Sequence, residues 1–219
     1  RALRGISAWF GHPLTYVLLV TTPLPTGHLY TNTQPYDGRG WCFAEKLMSA
    51  MVKFSDRLID LSKLRGDETD VYELENRGSA NRPAPIAPDA FHRMLTSGVA
   101  DGSIKFTNSG DTDVVARIYE RAFLDEMSGA KRLVYRFLGW GDEQLTSLSA
   151  ALVYAHDHGA LEKCQYLGLD GNAFGEPGMR SLSEALAEGA LPKLKRLDIG
   201  SPSAELTEYC SSKGITLRD

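Results

Sequence analysis

Hydrophobic residues recur at a fixed interval of 30 positions in the last third of the chain. The two copies of this ladder are Leu161, Leu167 and Leu169, followed by Leu191, Leu197 and Ile199. Between the copies, apolar residues return every three or four positions, which is the spacing of a helix with one buried face. The alternation of ladder and helix predicts a repeating strand–helix unit.

The first copy of the ladder reads CQYLGLDGN from Cys164 to Asn172. Its leucines alternate with polar or small residues, which predicts a short strand with one buried face. Cys164 takes the first apolar position, where cysteine acts as a small hydrophobic residue. The Asn172 amide is expected to bond free backbone groups where the chain turns. A degenerate copy is expected to begin near Lys131, and Ile215 with Leu217 is expected to add a closing strand.

The segment from Leu167 to Gly200 resembles the ribonuclease-inhibitor class of leucine-rich repeat. The resemblance implies a short β–α solenoid over residues 129–219 that binds protein partners through its concave strand face. The ladder positions with a structural role would be Leu167, Leu169, Asn172, Leu197 and Ile199. The residues expected to be exposed for binding are Gln165, Tyr166, Gly168, Asp170, Lys195, Arg196 and Asp198. Tyr166 and Arg196 are the expected anchors, because these residue types dominate binding energies at interfaces.

The first half of the chain has the pattern of an α/β protein. Leu14–Thr22 is short and rich in Val, Leu and an aromatic residue, and it is expected to be a strand buried on both faces of a parallel sheet. A helix is expected over Trp41–Phe54, a second strand over Ile104–Phe106 and a further helix over Thr112–Phe123. Arg65–Asp89 is rich in charge and proline and is expected to be an exposed, mobile excursion.

One carboxylate falls on the apolar side of the helix expected over Trp41–Phe54. Helical spacing places Glu45 between Trp41 and Met48. A buried carboxylate without a partner costs several kcal/mol or has a raised pKa, and functional carboxylates use such surroundings. The alternative, which we favour, is structural: Trp41 and Cys42 fill the core, and Glu45 bonds Arg39 or a loop amide.

The string YDGRGWCFAEKL, from Tyr36 to Leu47, resembles the Y-x-x-S-x-W-C-x-x-E-L signature of Toll/interleukin-receptor (TIR) domains. The resemblance implies a TIR-like parallel-sheet domain over residues 1–128. This domain is expected to be N-terminally incomplete, since the opening strand of a TIR domain would precede Arg1. In family members that cleave NAD the matching glutamate is catalytic, so the resemblance also implies an alternative function, an NAD nucleosidase that uses Glu45.

The two halves are combined in known proteins that this chain resembles. Algal and protist families couple an R-G-W-C-x-x-E segment and an F-T-N-x-x-D segment to ribonuclease-inhibitor repeats. Here Arg39–Glu45 and Phe106–Asp111 match the two segments.

Composition narrows the classes of function. The net charge of −4 and the lack of a Lys/Arg run disfavour nucleic-acid binding. Tyr16–Val20 is too short an apolar run to cross a bilayer, so a soluble protein is expected. Three widely spaced cysteines favour free thiols and an intracellular, reducing compartment. His156 and His158 do not share a helix face, and no metal site is expected.

The sequence therefore predicts an α/β chain that acts as a protein-interaction or scaffold module and needs no cofactor. An NAD-cleaving enzyme is the alternative, with NAD as its substrate. A structural subunit of a larger assembly is a third interpretation that the sequence does not separate from a scaffold.

Overall fold

The computed structural model describes residues 5–108 and 110–218. In this part of the chain there are eight α-helices and six short strands, and every paired strand runs parallel to its neighbour. The expected α/β class is confirmed. The chain divides into two compact units, one made of Arg1–Arg82 and Pro88–Phe123, the other of Pro83–Ala87 and Leu124–Asp219.

The first unit contains a two-stranded parallel sheet and a set of helices. Its strands are β1 (Val17–Leu19) and β2 (Leu58–Asp60), with Val17 opposite Leu58. Its helices are α1 (Ile6–Gly11), α2 (Gly40–Ala50), α3 (Val71–Gly78), α4 (Pro88–Asp101) and the first part of α5 (Asp111–Gly129). The buried side chains at the sheet are Val17, Leu19, Ala50, Leu58 and Ala80.

The strand expected over Leu14–Thr22 is shorter and less buried than the sequence indicated. Within it β1 covers Val17–Leu19, and the side chains of Leu18 and Val20 are 54% and 56% exposed. Alternate side chains of a strand point to opposite faces, and only one face of β1 contributes to the core. The expectation of a strand buried on both faces is therefore wrong.

The second strand of this sheet is also not where the sequence placed it. Ile104–Phe106 forms no regular strand; Lys105 makes an isolated parallel bridge with Arg39. The partner of β1 is β2, which lies directly after a short 3-10 turn over Ser55–Arg57. The three residues Leu58, Ile59 and Asp60 do not alternate between apolar and polar positions, so the sequence pattern does not predict this strand.

Arg65–Asp89 is not a continuous exposed excursion. It contains α3, whose N-cap Asp70 accepts a hydrogen bond from the backbone N–H of Glu73. Arg82 is 4% exposed and donates from Nε to Ala50 O (2.5 Å) and from Nη2 to Met51 O (2.9 Å). The last carbonyls of an α-helix generally accept no hydrogen bond from within the helix. Arg82 supplies side-chain donors to two carbonyls at the end of α2.

The second unit contains a four-stranded parallel sheet in the order β3 (Arg132–Val134), β4 (Tyr166–Gly168), β5 (Arg196–Asp198) and β6 (Thr216–Arg218). The connecting helices are α6 (Asp142–Asp157), α7 (Glu176–Ala187) and α8 (Ala204–Lys213). The strand register aligns one leucine from each strand, namely Leu133, Leu167, Leu197 and Leu217. The first three are completely buried.

Three helix-to-strand connections in this unit are closed by the same hydrogen bond. A backbone N–H just after the helix donates to a carbonyl five residues earlier. The pairs are Ala160 to Ala155 (2.8 Å), Ala190 to Ala185 (3.0 Å) and Ile215 to Cys210 (2.8 Å). Leu161 and Leu191, the first members of the two ladder copies, both have positive φ (64° and 71°). The sequence period is thus also a period of backbone conformation.

Asn172 connects the ends of two neighbouring strands. Its Oδ1 accepts from the backbone N–H groups of Leu138 (3.0 Å) and Trp140 (3.1 Å). Its Nδ2 donates to the carbonyls of Tyr135 and Leu169, both at 2.7 Å. All four bonds satisfy backbone groups in the turns that follow β3 and β4.

Candidate functional site

One face of the four-stranded sheet carries a row of long polar side chains. Residues opposite each other in a parallel register lie on the same face, and the register aligns Arg132, Tyr166, Arg196 and Thr216. We call this surface the basic sheet face, because two arginines flank its tyrosine. The buried leucines alternate with this row and point to the opposite side.

Tyr166 holds the two arginines in place. The Arg132 guanidinium lies 4.6 Å and the Arg196 guanidinium 5.4 Å from the centre of its ring, within cation–π range. The Tyr166 hydroxyl donates a 2.8 Å hydrogen bond to Asp198 Oδ2. The pKa of Tyr166 is raised, chiefly because the ring is buried and secondly because of this hydrogen bond.

Gly168 provides the space that the tyrosine ring occupies. It lies two residues after Tyr166 on the same strand and therefore on the same face. A Cβ at this position would lie 2.7 Å from the Tyr166 hydroxyl and 3.0 Å from Cζ. The ring and its hydroxyl can adopt their positions only because residue 168 has no side chain.

Asp198 fixes the second arginine. Arg196 donates from Nε and Nη2 to the two carboxylate oxygens, both at 2.6 Å, in a bidentate pair. The Arg196 pair, with the Tyr166 hydroxyl as a further donor, holds the pKa of Asp198 below its usual value. Asp198 itself is only 3% exposed.

The basic sheet face borders a cavity of about 540 Å³. Five of its lining residues are basic, namely Lys131, Arg132, Arg136, Lys195 and Arg196; Gln165 and Tyr166 lie between them. Arg136 forms an ion pair with Asp170 (2.5 Å). Among the described residues, Lys131, Arg132 and Lys195 make no ion pair. The face therefore has uncompensated positive charge.

Several residues predicted to bind partners are placed differently from expectation. Tyr166, Gly168 and Asp198 are buried, so the expectation that they are exposed is wrong. The long arginine side chains cover the ring and the short carboxylate beneath them. Gln165 and Lys195 are exposed, and Arg196 and Asp170 are half-buried.

Lys131, Arg132 and Arg136 belong to this surface and were missed by the sequence analysis. A signal was present: Lys131–Leu133 and Lys195–Leu197 both read Lys-Arg-Leu. The degenerate repeat thus begins with the same two cations as the later one, at the same register position.

Glu45, the candidate catalytic residue, lies on α2 and is half-buried. Burial raises the pKa of its carboxyl group. Burial and the neighbouring Glu45 charge also raise the pKa of Cys42. Among the described residues the Glu45 side chain has no hydrogen-bond partner; Arg39, its expected partner, donates from Nε to Gln34 O (2.8 Å). The expectation that Glu45 bonds Arg39 or a loop amide is therefore wrong.

The two sequence segments of the first unit, Arg39–Glu45 and Phe106–Asp111, meet in the structure. Gly40 N–H donates to Lys105 O (3.1 Å), and Lys105 N–H donates to Gly38 O (2.8 Å). A Cβ on Gly40 would lie 2.1 Å from Phe106 Cζ, so the phenyl ring rests directly on the glycine.

Trp41 and Cys42 are both half-buried and do not fill the core as expected. The Trp41 indole instead donates a hydrogen bond to the Asp111 carboxylate and remains partly accessible to solvent.

The chain contains three cysteines. Cys42, Cys164 and Cys210 are free thiols. Within residues 5–108 and 110–218, no three His, Cys, Asp or Glu side chains are grouped so that they could hold a metal ion. None of the helices in these ranges is both long enough and apolar enough to cross a lipid bilayer.

No protein-family model, no curated protein and no solved structure matches this chain.

Proposed function

We propose that the chain is a protein-interaction module of the leucine-rich-repeat type, with the basic sheet face as its binding surface. The observation that carries this proposal is the row Arg132–Tyr166–Arg196 across three strands. The repeat interpretation is supported by the shared closing hydrogen bonds and by the Asn172 network.

The row has the properties of a preorganised binding surface. Tyr166 and Asp198 hold the guanidinium groups before any partner arrives, so less side-chain entropy is lost on binding. Arginine is one of the residue types most enriched among those that dominate binding energy. In this arrangement the arginines contact the partner, and Tyr166 supports them from beneath.

The test compares the proteins retained from a cell extract by the immobilised chain and by two variants. The first variant carries both Lys131→Gln and Lys195→Gln, which remove two exposed cations of the face. Arg180→Gln is the matched control, since Arg180 is exposed on α7 and pairs only with Glu176 among the described residues. We expect proteins that the wild type and the control retain and the double variant loses. Identical retention by all three would contradict the proposal.

A TIR-like NAD-cleaving enzyme is the second candidate function. It is favoured by one observation: the Glu45 carboxylate is half-buried, has no hydrogen-bond partner within the part of the chain that the structure describes, and has a pKa raised by burial. Such a carboxylate would stabilise the oxocarbenium-like centre as nicotinamide leaves, in the manner of glycoside cleavage. Nicotinamide release from NAD, measured for the chain and for Glu45→Gln, separates the two functions. The interaction module releases none, whereas release that Glu45→Gln abolishes would establish the enzyme.

A further inference from the structure

We infer that the basic sheet face binds an acidic protein segment that carries two carboxylates three residues apart in an extended, polyproline-II-like conformation. This inference rests on the proposed function and names the chemistry of its partner.

Apart from Arg136, which is paired with Asp170, the cations of the face form two columns. Lys131 and Arg132 form one column at the start of β3, and Lys195 and Arg196 form the other at the start of β5. Between them β4 contributes only the neutral Gln165 and Tyr166. Neighbouring strands lie about 4.8 Å apart, so the two columns are separated by roughly 9.6 Å at the backbone.

This separation fits one common backbone conformation. A polyproline-II helix has three residues per turn and rises about 3.1 Å per residue, so side chains at i and i+3 share one side about 9.3 Å apart. In a β-strand, residues on the same side are about 6.8 Å apart, and residues three positions apart point in opposite directions. A polyproline-II segment that crosses the strands would therefore place one carboxylate at each cation column.

The cations are available for such a ligand. Lys131, Arg132 and Lys195 are exposed and carry no ion pair within the described residues. The Asp198 carboxylate occupies Nε and Nη2 of Arg196, which leaves Nη1 for a second acceptor. Charge-assisted hydrogen bonds from guanidinium groups to carboxylates are among the stronger polar contacts in proteins.

A nucleic acid fits the same face less well. Single-stranded nucleic acids need aromatic side chains on which bases can stack, and the Tyr166 ring is buried beneath arginines. The net charge of −4 repels any anion at long range, and this repulsion grows with the charge of the ligand. A nucleic acid with one phosphate per nucleotide is therefore disfavoured more than a segment with two carboxylates.

The experiment uses the whole chain and three blocked hexapeptides with acetylated and amidated ends. Pro-Glu-Pro-Pro-Glu-Pro has the proposed spacing, Pro-Pro-Glu-Glu-Pro-Pro has the same composition with adjacent carboxylates, and Pro-Gln-Pro-Pro-Gln-Pro is neutral. Amide chemical shifts of residues 131–132, 165–166 and 195–196 are followed at low salt. We expect the first peptide to bind about threefold to tenfold more tightly than the second, and the neutral peptide not to bind.

The protein variants give the second half of the test. Lys131→Gln with Lys195→Gln should abolish the preference for the spaced peptide, whereas Arg180→Gln should keep it. No binding of the spaced peptide, equal binding of the two acidic peptides, or tighter binding of an oligothymidylate of equal charge would each overturn the inference. If any of these results accompanies charge-dependent retention of proteins from extract, the inference fails while the proposed function stands.

Discussion

The indole Nε1 of Trp41 donates a 2.8 Å hydrogen bond to Oδ2 of Asp111, 70 positions further along the chain. Trp41 lies in the first turn of α2, and Asp111 is the first residue of α5. The bond therefore joins the beginnings of two helices. It also connects the two segments, Arg39–Glu45 and Phe106–Asp111, that stand out in the sequence.

Replacing Trp41 with Phe should show the value of this bond. The substitution keeps an aromatic ring and removes the N–H that Asp111 accepts. Because a half-buried hydrogen bond to a charged group is lost, we expect a decrease of about 1.5–3 kcal/mol in the free energy of unfolding. Trp9→Phe is the control, since Trp9 is 73% exposed. Equal decreases in urea unfolding would assign the effect to ring size alone.

Gly40→Ala should disturb the contact with Phe106. The new Cβ would lie 2.1 Å from Phe106 Cζ, so the phenyl ring must move. Overpacking of this kind costs about 1–3 kcal/mol. Gly129→Ala is the matched control, because a Cβ there meets nothing within 4 Å and the position is exposed. A neutral effect of Gly40→Ala in thermal unfolding would mean that Phe106 is not held against α2.

Arg82→Met should leave the end of α2 without its donors. The methionine keeps the apolar part of the side chain but cannot bond Ala50 O and Met51 O. We expect a loss of roughly 2–4 kcal/mol, since two buried carbonyls lose the hydrogen bonds that the guanidinium donates. Arg93→Met is the control, an exposed arginine that pairs with Asp89 four residues earlier. Similar small losses in both variants would argue that solvent replaces the guanidinium.

The Asp198 carboxylate should make stability depend on pH. Its pKa is lowered in the folded chain, chiefly by Arg196, so its contribution is present above the unfolded value of about 3.9. The contribution is lost as the pH falls from there through the folded pKa. We expect the difference in free energy of unfolding between wild type and Asp198→Asn to shrink as the pH is lowered from about 6 to about 3. A difference that stays constant over this range would contradict the assignment.

Glu45 should have the opposite dependence. Burial raises its pKa, so the charged form destabilises the fold, and stability is lost as the pH rises through the folded pKa. Glu45→Gln should therefore be more stable than the wild type near pH 7 and gain little near pH 4, where the carboxyl becomes protonated. Denaturant titrations at the two pH values measure the gain. A variant less stable than the wild type near pH 7 would point to a stabilising partner for the carboxylate.

The repeat period made the second unit the more predictable part of the fold. Leu167 and Leu197 alternate with polar residues over a fixed interval, and both are completely buried in adjacent strands. In the first unit β2 has only three residues and no alternating pattern, so its pairing with β1 depends on tertiary contacts that a local pattern does not contain. The sequence pattern also does not indicate the role of Arg82, because its two acceptors lie 31 and 32 positions away.

The sequence predicted which side chains share one face of the sheet, but it did not predict which of them are buried. The alternation rule placed Tyr166, Arg196 and Asp198 on one face, which the strand register reproduces. The alternation rule does not show which side chain covers another, since that depends on the length of each side chain. Arg132 and Arg196 extend over the ring of Tyr166, and the short Asp198 carboxylate lies beneath.

The order of the turn after β4 depends on a single nitrogen atom. Nδ2 of Asn172 is the donor for two carbonyl oxygens, each 2.7 Å away. Exchanging that nitrogen for oxygen, as in Asn172→Asp or in hydrolysis of the amide with age, would leave the shape of the side chain almost unchanged. It would also set a negative charge against both carbonyls in place of two protons. The repeat unit thus carries a position where chemical ageing without any change in volume would open the connection between β3 and β4.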